Sequence, residues 1–340
     1  MGDHQTVQES ESGSAGISCD HSPAERYTIF DTVEGNGISG ENSNSQIRGI
    51  MGFHRHSGFF PQVSRCAWLG ELDILTSPSV FLNRWLGDFD SNFIPVLIIG
   101  KKGASSLNVL GVGSGSGEVD IEILDKIQSK HPGLSIHNEV VEPNPHQLTK
   151  FKDLVKEKSQ GLNISFTWNQ MCSEEYEKQK KERKESRKFD FIHMIQMLYY
   201  VESVPDTIKY FHSLLETNGK LLIIQPSGDG GWQALWKKAG SYFPAKSGFI
   251  GVQKVLDEMR VKYHRYELPS DLDITECFIE GNENGKHLLD FLTEVADFRK
   301  TAPPDLKAEV LRYLRHLPCS REENGKIIFK NDLHFIVIDN

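Results

Sequence analysis

Val109–Glu118, with the sequence VLGVGSGSGE, is a glycine-rich stretch between a predicted strand and a predicted helix, and it is the strongest indication of the fold. The mostly apolar run Leu107–Val112 is typical of a buried strand, and the following pattern predicts a helix from about Glu118 to Ser129. Ligands bind at turns of this kind, at the carboxyl edge of an open α/β sheet. Glycine lets the backbone adopt positive φ and approach a ligand closely. Glycine-rich turns also occur for structural reasons alone.

The spacing of the glycines separates several kinds of loop. A dinucleotide fingerprint requires G-x-G-x-x-G, and the glycines that would complete it are replaced by Ser116 and Glu118. No Gly-Lys-Ser/Thr sequence follows, so a P-loop is excluded. Gly111, Gly113 and Gly115 instead form the G-x-G-x-G pattern of an S-adenosylmethionine loop.

Strand and helix patterns alternate along the chain after this loop. Strands alternating with helices of this length predict parallel crossover units and a doubly wound α/β sheet. The further strands are expected at Leu134–Val141, Asn163–Trp168, Phe189–Met194 and Lys220–Gln225, and the helices at Pro145–Lys158, Glu174–Lys188 and Val204–Leu215.

The last residues break this alternation. Lys326–Phe329 and Leu333–Ile338 flank Lys330-Asn331-Asp332, which predicts an antiparallel hairpin with Asn and Asp in its turn. A mostly parallel sheet that ends in such a hairpin at one edge matches the class I methyltransferase fold.

Composition divides the chain into three parts. Residues 1–50 are rich in Ser, Gly, Glu and Asn, and we expect a disordered tail because they can bury little apolar surface. Residues 51–106 are poorly patterned, with a helix expected around Ser79–Leu86 and an apolar segment at Phe93–Ile99. We expect residues 107–340 to form the α/β domain, with insertions around 228–310 that form a small helical lobe.

The overall charge and cysteine content exclude several classes of function. A net charge of −9 argues against nucleic acid, which requires a surplus of Lys and Arg. The apolar run Phe93–Gly100 is much shorter than the ~20 residues of a membrane span. Five scattered cysteines show neither disulfide nor metal-ligand spacing, and the first residues do not resemble a signal peptide. We therefore expect a cytoplasmic protein that binds no membrane and no metal.

An acidic residue ends the second predicted strand. Glu142 can accept hydrogen bonds from both hydroxyls of a ribose, as the corresponding acid does in dinucleotide enzymes. Alternatively, Glu142 is an ordinary strand-end residue that caps the helix after Pro143. Because the loop and the acid follow consecutive strands, together they favour a cofactor site.

Polar and aromatic residues follow the fourth and fifth predicted strands. The segment Phe189–Val201, FDFIHMIQMLYYV, runs out into Gln196 and two tyrosines at the edge where ligands bind. Tyr199 and Tyr200 could equally be core aromatics. Aromatic walls suit a flat ring or an organic cation, and further candidates for such a wall are Trp232, Trp236 and Phe243.

Taken together, these segments resemble the histamine N-methyltransferase family. The resemblance covers about Leu107 to Asn340 and rests on the whole set of motifs rather than on any single one. The motifs are Gly111–Glu118 with Asp120, Asn138–Pro143, Phe189–Val201, Phe211–Leu215, Gly231-Trp232 with Leu235–Lys238, Cys277–Ile279 with Gly285, and Thr301–Leu306.

The resemblance implies a monomeric enzyme that methylates an imidazole ring nitrogen of histamine with S-adenosylmethionine as cofactor. It implies the cofactor-binding residues Gly113, Glu142, Gln147, Ser173 and Ile195, of which Gln147 and Ser173 have no other support. It implies the substrate-binding residues Gln196, Tyr199, Tyr200, Trp232, Trp236, Phe243, Phe291 and Asn331. No catalytic acid or base is required, since the sulfonium is an activated methyl donor and in-line placement supplies the acceleration.

Two departures from the family leave the acceptor open. The family holds its substrate with a glutamate in an amino-terminal run resembling Phe-Leu-x-x-Ser-Thr-Glu-His, and residues 1–106 contain no such run. The loop Pro244–Gly251 is shorter than in the family and lacks a pocket cysteine. The alternatives are therefore an imidazole dipeptide such as carnosine as acceptor, or a relative that binds the cofactor without catalysis.

Overall fold

A computed structural model describes residues 104–159, 161–239, 251–293 and 295–340. Several expectations lie outside these residues: the tail at 1–50, the helix at Ser79–Leu86, the segment Phe93–Ile99, Phe243 and the loop from Pro244 to residue 250.

Ten strands form two sheets within the described residues. Their order in the seven-stranded sheet is β3-β2-β1-β4-β5-β10-β6, and a small sheet has the order β7-β9-β8. Strands β1 to β5 run parallel, and β10 runs antiparallel between β5 and β6. This arrangement confirms the predicted doubly wound, mostly parallel sheet of the class I methyltransferase type. The strands are β1 Ser106–Val112, β2 Ser135–Val141, β3 Ile164–Asn169, β4 Phe189–Ile195, β5 Leu215–Pro226, β6 Tyr263–Leu268, β7 Asp271–Asp273, β8 Ser320–Glu323, β9 Lys326–Lys330 and β10 Leu333–Asp339.

Helices cover both faces of the seven-stranded sheet. Side chains alternate along the buried strands, so Val109 packs on one face and Leu110 on the other. Helices α1 and α2 cover the first face, and α3, α4 and α6 cover the second. No helix in the described ranges is long and apolar enough to span a membrane. The helices are α1 Glu118–Lys130, α2 Pro145–Lys158, α3 Ser173–Glu182, α4 Val204–Ser213, α5 Gly231–Ala239, α6 Val252–Met259, α7 Glu283–Thr293, α8 Phe298–Thr301 and α9 Pro304–Arg315.

A third apolar core forms the lobe beside the sheet. Helices α5, α7 and α9 pack there against β9, around buried residues such as Trp232, Leu289 and Phe329. The lobe therefore contains the small sheet β7-β9-β8 in addition to the predicted helices.

The pairing of the last two strands differs from the prediction. Lys326–Phe329 and Leu333–Ile338 do form strands, but β9 belongs to the small sheet and β10 to the large one. The hairpin is instead β8–β9, whose turn residues Asn324 and Gly325 both have positive φ, as a two-residue hairpin turn requires. The chain crosses from one sheet to the other at Lys330-Asn331-Asp332, because long-range pairing to β5 and β7 outweighs the local turn signal.

The helix predicted at Glu174–Lys188 ends earlier, at Glu182. Residues 181–188 are all exposed, and Lys184 has a left-handed backbone conformation. Helices in proteins depend mainly on packing of an apolar face, and this charged run offers none. Strand β5 also begins before the predicted Lys220, because Leu215 pairs with Phe189 of β4.

Candidate functional site

The glycine loop after β1 has a backbone that only glycine adopts readily. Gly113, Gly115 and Gly117 have φ of 69°, 59° and 80°. A Cβ on Gly113 would lie 2.7 Å from the Cβ of Met197, which follows β4. The N–H of Gly113 donates to the carbonyl of Val141 at 2.8 Å, which joins the loop to the end of β2.

Glu142 connects this loop to the next turn. Its Oε2 accepts from the N–H of Gly115 and its Oε1 from the N–H of Asn144, each at 2.8 Å. Burial raises the pKa of this carboxyl, and the two backbone hydrogen bonds oppose that rise. Each oxygen keeps lone-pair capacity for a further donor. The cap of α2 is Asn144, whose side chain accepts from His146 and Gln147 N–H, so Glu142 is not that cap.

Gln147 lies in the first turn of α2 and is fully buried. Neither its Nε2 nor its Oε1 has a hydrogen-bond partner among the described residues. Leaving a buried amide unsatisfied costs about 1–3 kcal/mol per group, so polar atoms of a ligand are the expected partners. A resident cofactor with polar groups therefore fits this position.

The other two candidates for cofactor binding lie at the ends of β3 and β4, the strands on either side of β2 and β1. Ser173 begins α3 after β3, is buried, and donates to Glu174 Oε2 at 2.9 Å. Ile195 is the last residue of β4 and is half-buried. Because β3, β2, β1 and β4 are adjacent in that order, all five candidate cofactor residues stand at one edge of the sheet.

Two buried ionisable side chains lie beneath the loop, and sequence reasoning gave them no role. Ser114 Oγ donates to Asp120 Oδ1 at 2.7 Å, and His193 Nε2 lies 3.4 Å from the same oxygen. In the sequence, Asp120 stands out only as part of a motif and His193 only as one residue of a predicted strand. Their proximity depends on the packing of α1 against the parallel pair β1 and β4, which local patterns do not show.

Gln196 continues directly from Ile195. It has a positive φ of 54°, which is uncommon for a residue other than glycine and recurs at functional sites. Its N–H donates to the carbonyl of Ile224 at 2.9 Å, so the turn is fixed to β5. Its Oε1 accepts from Tyr199 Oη at 2.5 Å. Tyr199 is thus a core aromatic that also orients Gln196.

Five of the predicted aromatic residues form two groups of contacting rings. Tyr199 lies 4.9 Å from Tyr200 and 6.4 Å from Trp236, measured between ring centroids. Trp232 lies 5.6 Å from Phe291 in an edge-to-face arrangement. Tyr200 and Phe291 are half-buried, whereas Tyr199, Trp232 and Trp236 are buried.

Asn331 joins the second aromatic group to the sheets. Its Oδ1 accepts from the indole N–H of Trp232 at 2.7 Å, and its Nδ2 donates to Ser270 Oγ at 3.0 Å. Asn331 is therefore not the turn residue of a hairpin. The N–H of Ser227 after β5 donates to the carbonyl of Asp332. This bond holds the crossing segment Lys330-Asn331-Asp332 at the carboxyl edge of the large sheet. Sequence reasoning missed Ser270, because its neighbours in the fold are distant in sequence.

Comparison with known proteins agrees with this arrangement. The family described as "Methyltransferase domain" matches residues 92–257. Histamine N-methyltransferase of Xenopus tropicalis is 46% identical over 255 residues, which cover 74% of this chain and 87% of that protein. The Bos taurus enzyme of the same name is 48% identical over 240 residues, covering 69% and 82%. Carnosine N-methyltransferase 2 of Gallus gallus is 45% identical over 263 residues, covering 76% and 82%. With this identity over most of the relatives' length, the chain belongs to the histamine N-methyltransferase family.

Proposed function

We propose that this protein transfers a methyl group from S-adenosylmethionine to an imidazole ring nitrogen of histamine. The observation that carries the proposal is the succession of Ile195 and Gln196 at the end of β4. The other candidate cofactor residues follow β1, β2 and β3, on one side of β4. The candidate acceptor residues Trp232 and Asn331 follow β5 and precede β10, on the other side of β4. A donor and a flat acceptor would therefore meet at one edge of the sheet.

The described residues fit the proposed cofactor. Glu142 offers carboxylate lone pairs to ribose hydroxyls, and Gln147 offers a buried amide that has no partner among the described residues. Gly113 allows close approach of the loop backbone. When bound, the cofactor supplies a methyl group that its sulfonium sulfur has already activated.

The acceptor requires orientation more than activation. Free imidazole titrates near ~6.5, so at pH 7 the ring is mostly neutral and nucleophilic. Gln196 and Asn331 would orient the ring by hydrogen bonds, and the aromatic side chains would exclude water. Positive charge develops on the ring during transfer, and aromatic faces and amide oxygens stabilise such charge. The ring becomes neutral again when its other nitrogen releases a proton.

Carnosine is the second candidate acceptor. The chicken carnosine N-methyltransferase 2 matches at an identity similar to that of the histamine enzymes, and residues 1–106 lack the substrate glutamate of the family. Measuring kcat/KM for both acceptors separates the candidates. We expect the larger value for histamine, and a large preference for carnosine would overturn the first assignment.

A relative without catalysis is the third candidate. Titration calorimetry with S-adenosylmethionine, run beside a methyl-transfer assay, distinguishes it from an enzyme. We expect both binding and turnover. Tight cofactor binding without turnover on either imidazole compound would refute the enzymatic proposal.

The proposal includes the organisation expected from the sequence. Residues 107–340 would form the catalytic domain, and insertions around 228–310 would form the substrate lobe. We expect a monomer in the cytoplasm, which size-exclusion chromatography and cell fractionation can check.

A further inference from the structure

Asp120, His193 and Ser114 form a closed cluster beneath the glycine loop. They come from α1, β4 and the loop itself, and Asp120 and His193 are each only 2% exposed. A Cβ on Gly111 would lie 2.4 Å from Ser114 Oγ, 2.6 Å from Asp120 Oδ1 and 2.9 Å from His193 Cε1. Glycine at this position therefore leaves the space in which the three side chains meet.

The buried position of Asp120 favours its neutral form. Burial raises the pKa of the Asp120 carboxyl to about 7, and Glu118 of α1 adds to that rise. The hydrogen bond from Ser114 opposes it. Burial lowers the pKa of the His193 imidazole to about 4. Glu142, at the end of β2, is a second acidic group that the charge of Asp120 affects. Burial therefore favours the neutral forms of both side chains.

Ser114 connects this cluster to the proposed cofactor site. It stands between Gly113 and Gly115, and the N–H of Gly115 donates to Glu142 Oε2. A hydroxyl fixed on Asp120 restricts the backbone on both sides of Ser114. The direction of the Gly115 N–H, and with it the orientation of the Glu142 carboxylate, depends on that restriction.

We propose that Asp120 is a positioning residue for the cofactor: buried against His193, it holds the Ser114 hydroxyl and so fixes the geometry in which Gly115 and Glu142 bind the ligand. This inference rests on the proposed use of S-adenosylmethionine. It assigns the role to a side chain that is buried beneath the loop.

Two serines of one loop provide a matched test. Ser114→Ala removes the hydroxyl bonded to Asp120, whereas Ser116→Ala removes a hydroxyl that donates to Glu118 at 2.6 Å instead. We expect Ser114→Ala to raise the Kd of S-adenosylmethionine about three- to tenfold, as loss of one hydrogen bond implies. Ser116→Ala should leave the Kd within about twofold, since its bond does not involve the cluster. Equal Kd values for both variants and the wild type would overturn the proposal.

Two substitutions of Asp120 provide a second test. Asp120→Ala removes the acceptor of Ser114 and leaves a buried gap, and we expect the Kd to rise about tenfold or more. Asp120→Asn resembles the protonated carboxyl in shape and in having one donor and one acceptor side, so it should restore most of the affinity. If the asparagine variant bound the cofactor as weakly as the alanine variant, the positioning role of the Asp120–Ser114 hydrogen bond would be refuted.

Parallel assays keep this inference separate from the proposed function. Cofactor Kd is measured by calorimetry without any acceptor, and histamine turnover is measured independently. Absent turnover with the expected Kd changes would remove the proposed function alone. Normal turnover with an unchanged Ser114→Ala Kd would remove the positioning role alone. A wild-type protein that bound no cofactor would overturn both.

Discussion

The side-chain amide of Asn331 makes hydrogen bonds where the chain crosses between the two sheets, and it is also a candidate to bind the acceptor. Trp232 occupies one lone pair of its Oδ1, and Ser270 occupies one hydrogen of its Nδ2. One lone pair and one hydrogen remain for a ligand. The indole N–H of Trp232 can only donate, so it fixes which side of the amide presents the oxygen.

Asn331→Gly removes this amide and is expected to raise the KM for histamine several-fold. A lost hydrogen bond is worth about 0.5–1.5 kcal/mol, and Trp232 also loses an acceptor, so a stability loss of about the same size should accompany the KM change. The Kd of the cofactor should hardly change. Steady-state kinetics and urea unfolding measure the two effects. Wild-type KM in the variant would remove Asn331 from the acceptor site.

The Asp120–His193 pair predicts opposite pH dependences of stability in two variants. Unfolded Asp and His titrate near ~3.9 and ~6.5, whereas the folded pKa values are about 7 for Asp120 and about 4 for His193. Between roughly pH 4 and 6.5, both the folded and the unfolded pair bind one proton in total. The intact pair therefore adds almost no pH dependence to the free energy of unfolding in that range.

A variant that removes one partner removes this cancellation, so the titration of the other partner affects the free energy of unfolding. Asp120→Asn leaves His193, which binds fewer protons when folded, so stability should rise with pH between roughly 4 and 6.5 relative to wild type. His193→Gln leaves Asp120, which binds more protons when folded, so stability should fall as pH rises from roughly 4 to 7. Urea unfolding at a series of pH values measures both slopes. Slopes of the same sign would contradict this account of the pair.

At the scale of elements, helix α2 carries a cofactor candidate on its first turn. Asn144 caps this helix by accepting from the N–H groups of His146 and Gln147, and Pro145 begins it. The cap thus fixes the turn on which the side chain of Gln147 is buried. Geometry at the proposed cofactor site therefore depends on a residue that is not among its candidate ligand-binding residues.

Asn144→Ala is expected to destabilise the protein by about 1 kcal/mol, the usual cost of losing an N-cap. The cofactor Kd should also rise, because Gln147 lies in the first turn. Asn144→Asp keeps a capping oxygen and serves as the control, with stability close to wild type. The urea midpoints of both variants give the comparison. Equal midpoints for alanine and aspartate would show that the cap contributes nothing.

Local patterns predict those elements and site residues whose environment is set by nearby sequence. The strand–loop–helix unit and the position of Glu142 followed from spacing, because both depend on where a strand ends. The pairing of β9 and β10 did not follow, since their partners are β7 and β5, far away along the chain. The Asn324-Gly325 turn is a stronger hairpin signal than Lys330-Asn331-Asp332 and would have identified the β8–β9 hairpin. The roles proposed for Gln147 and Ser173 require family resemblance, because polar residues in first helical turns are common.

In the molecule as a whole, strand β10 contributes to the cores on both faces of the seven-stranded sheet. β10 lies between β5 and β6, and its residues 333–338 are all buried. Phe335 and Val337 belong to the core on one face of the sheet, and Ile336 and Ile338 belong to the core on the other. The same strand begins two residues after Asn331. Packing of β10 therefore contributes both to global stability and to the position of the proposed acceptor site.

Ile336 tests this dependence at the centre of the strand. Its side chain is fully buried and pairs across to Ile223 of β5 and Arg265 of β6. Ile336→Ala should destabilise the protein by about 2–5 kcal/mol, through lost burial and the cavity left behind, and Ile336→Val by about 0.5–1.5 kcal/mol.

Valine keeps the β-branched shape of isoleucine, whereas alanine removes nearly all of the side chain, so a graded loss indicates that packing of this side chain stabilises the strand. A single cooperative transition should persist in urea, since one strand serves both faces of the sheet. If alanine cost no more than valine, β10 would be a loosely packed strand, and the close coupling of the two cores inferred here would be wrong.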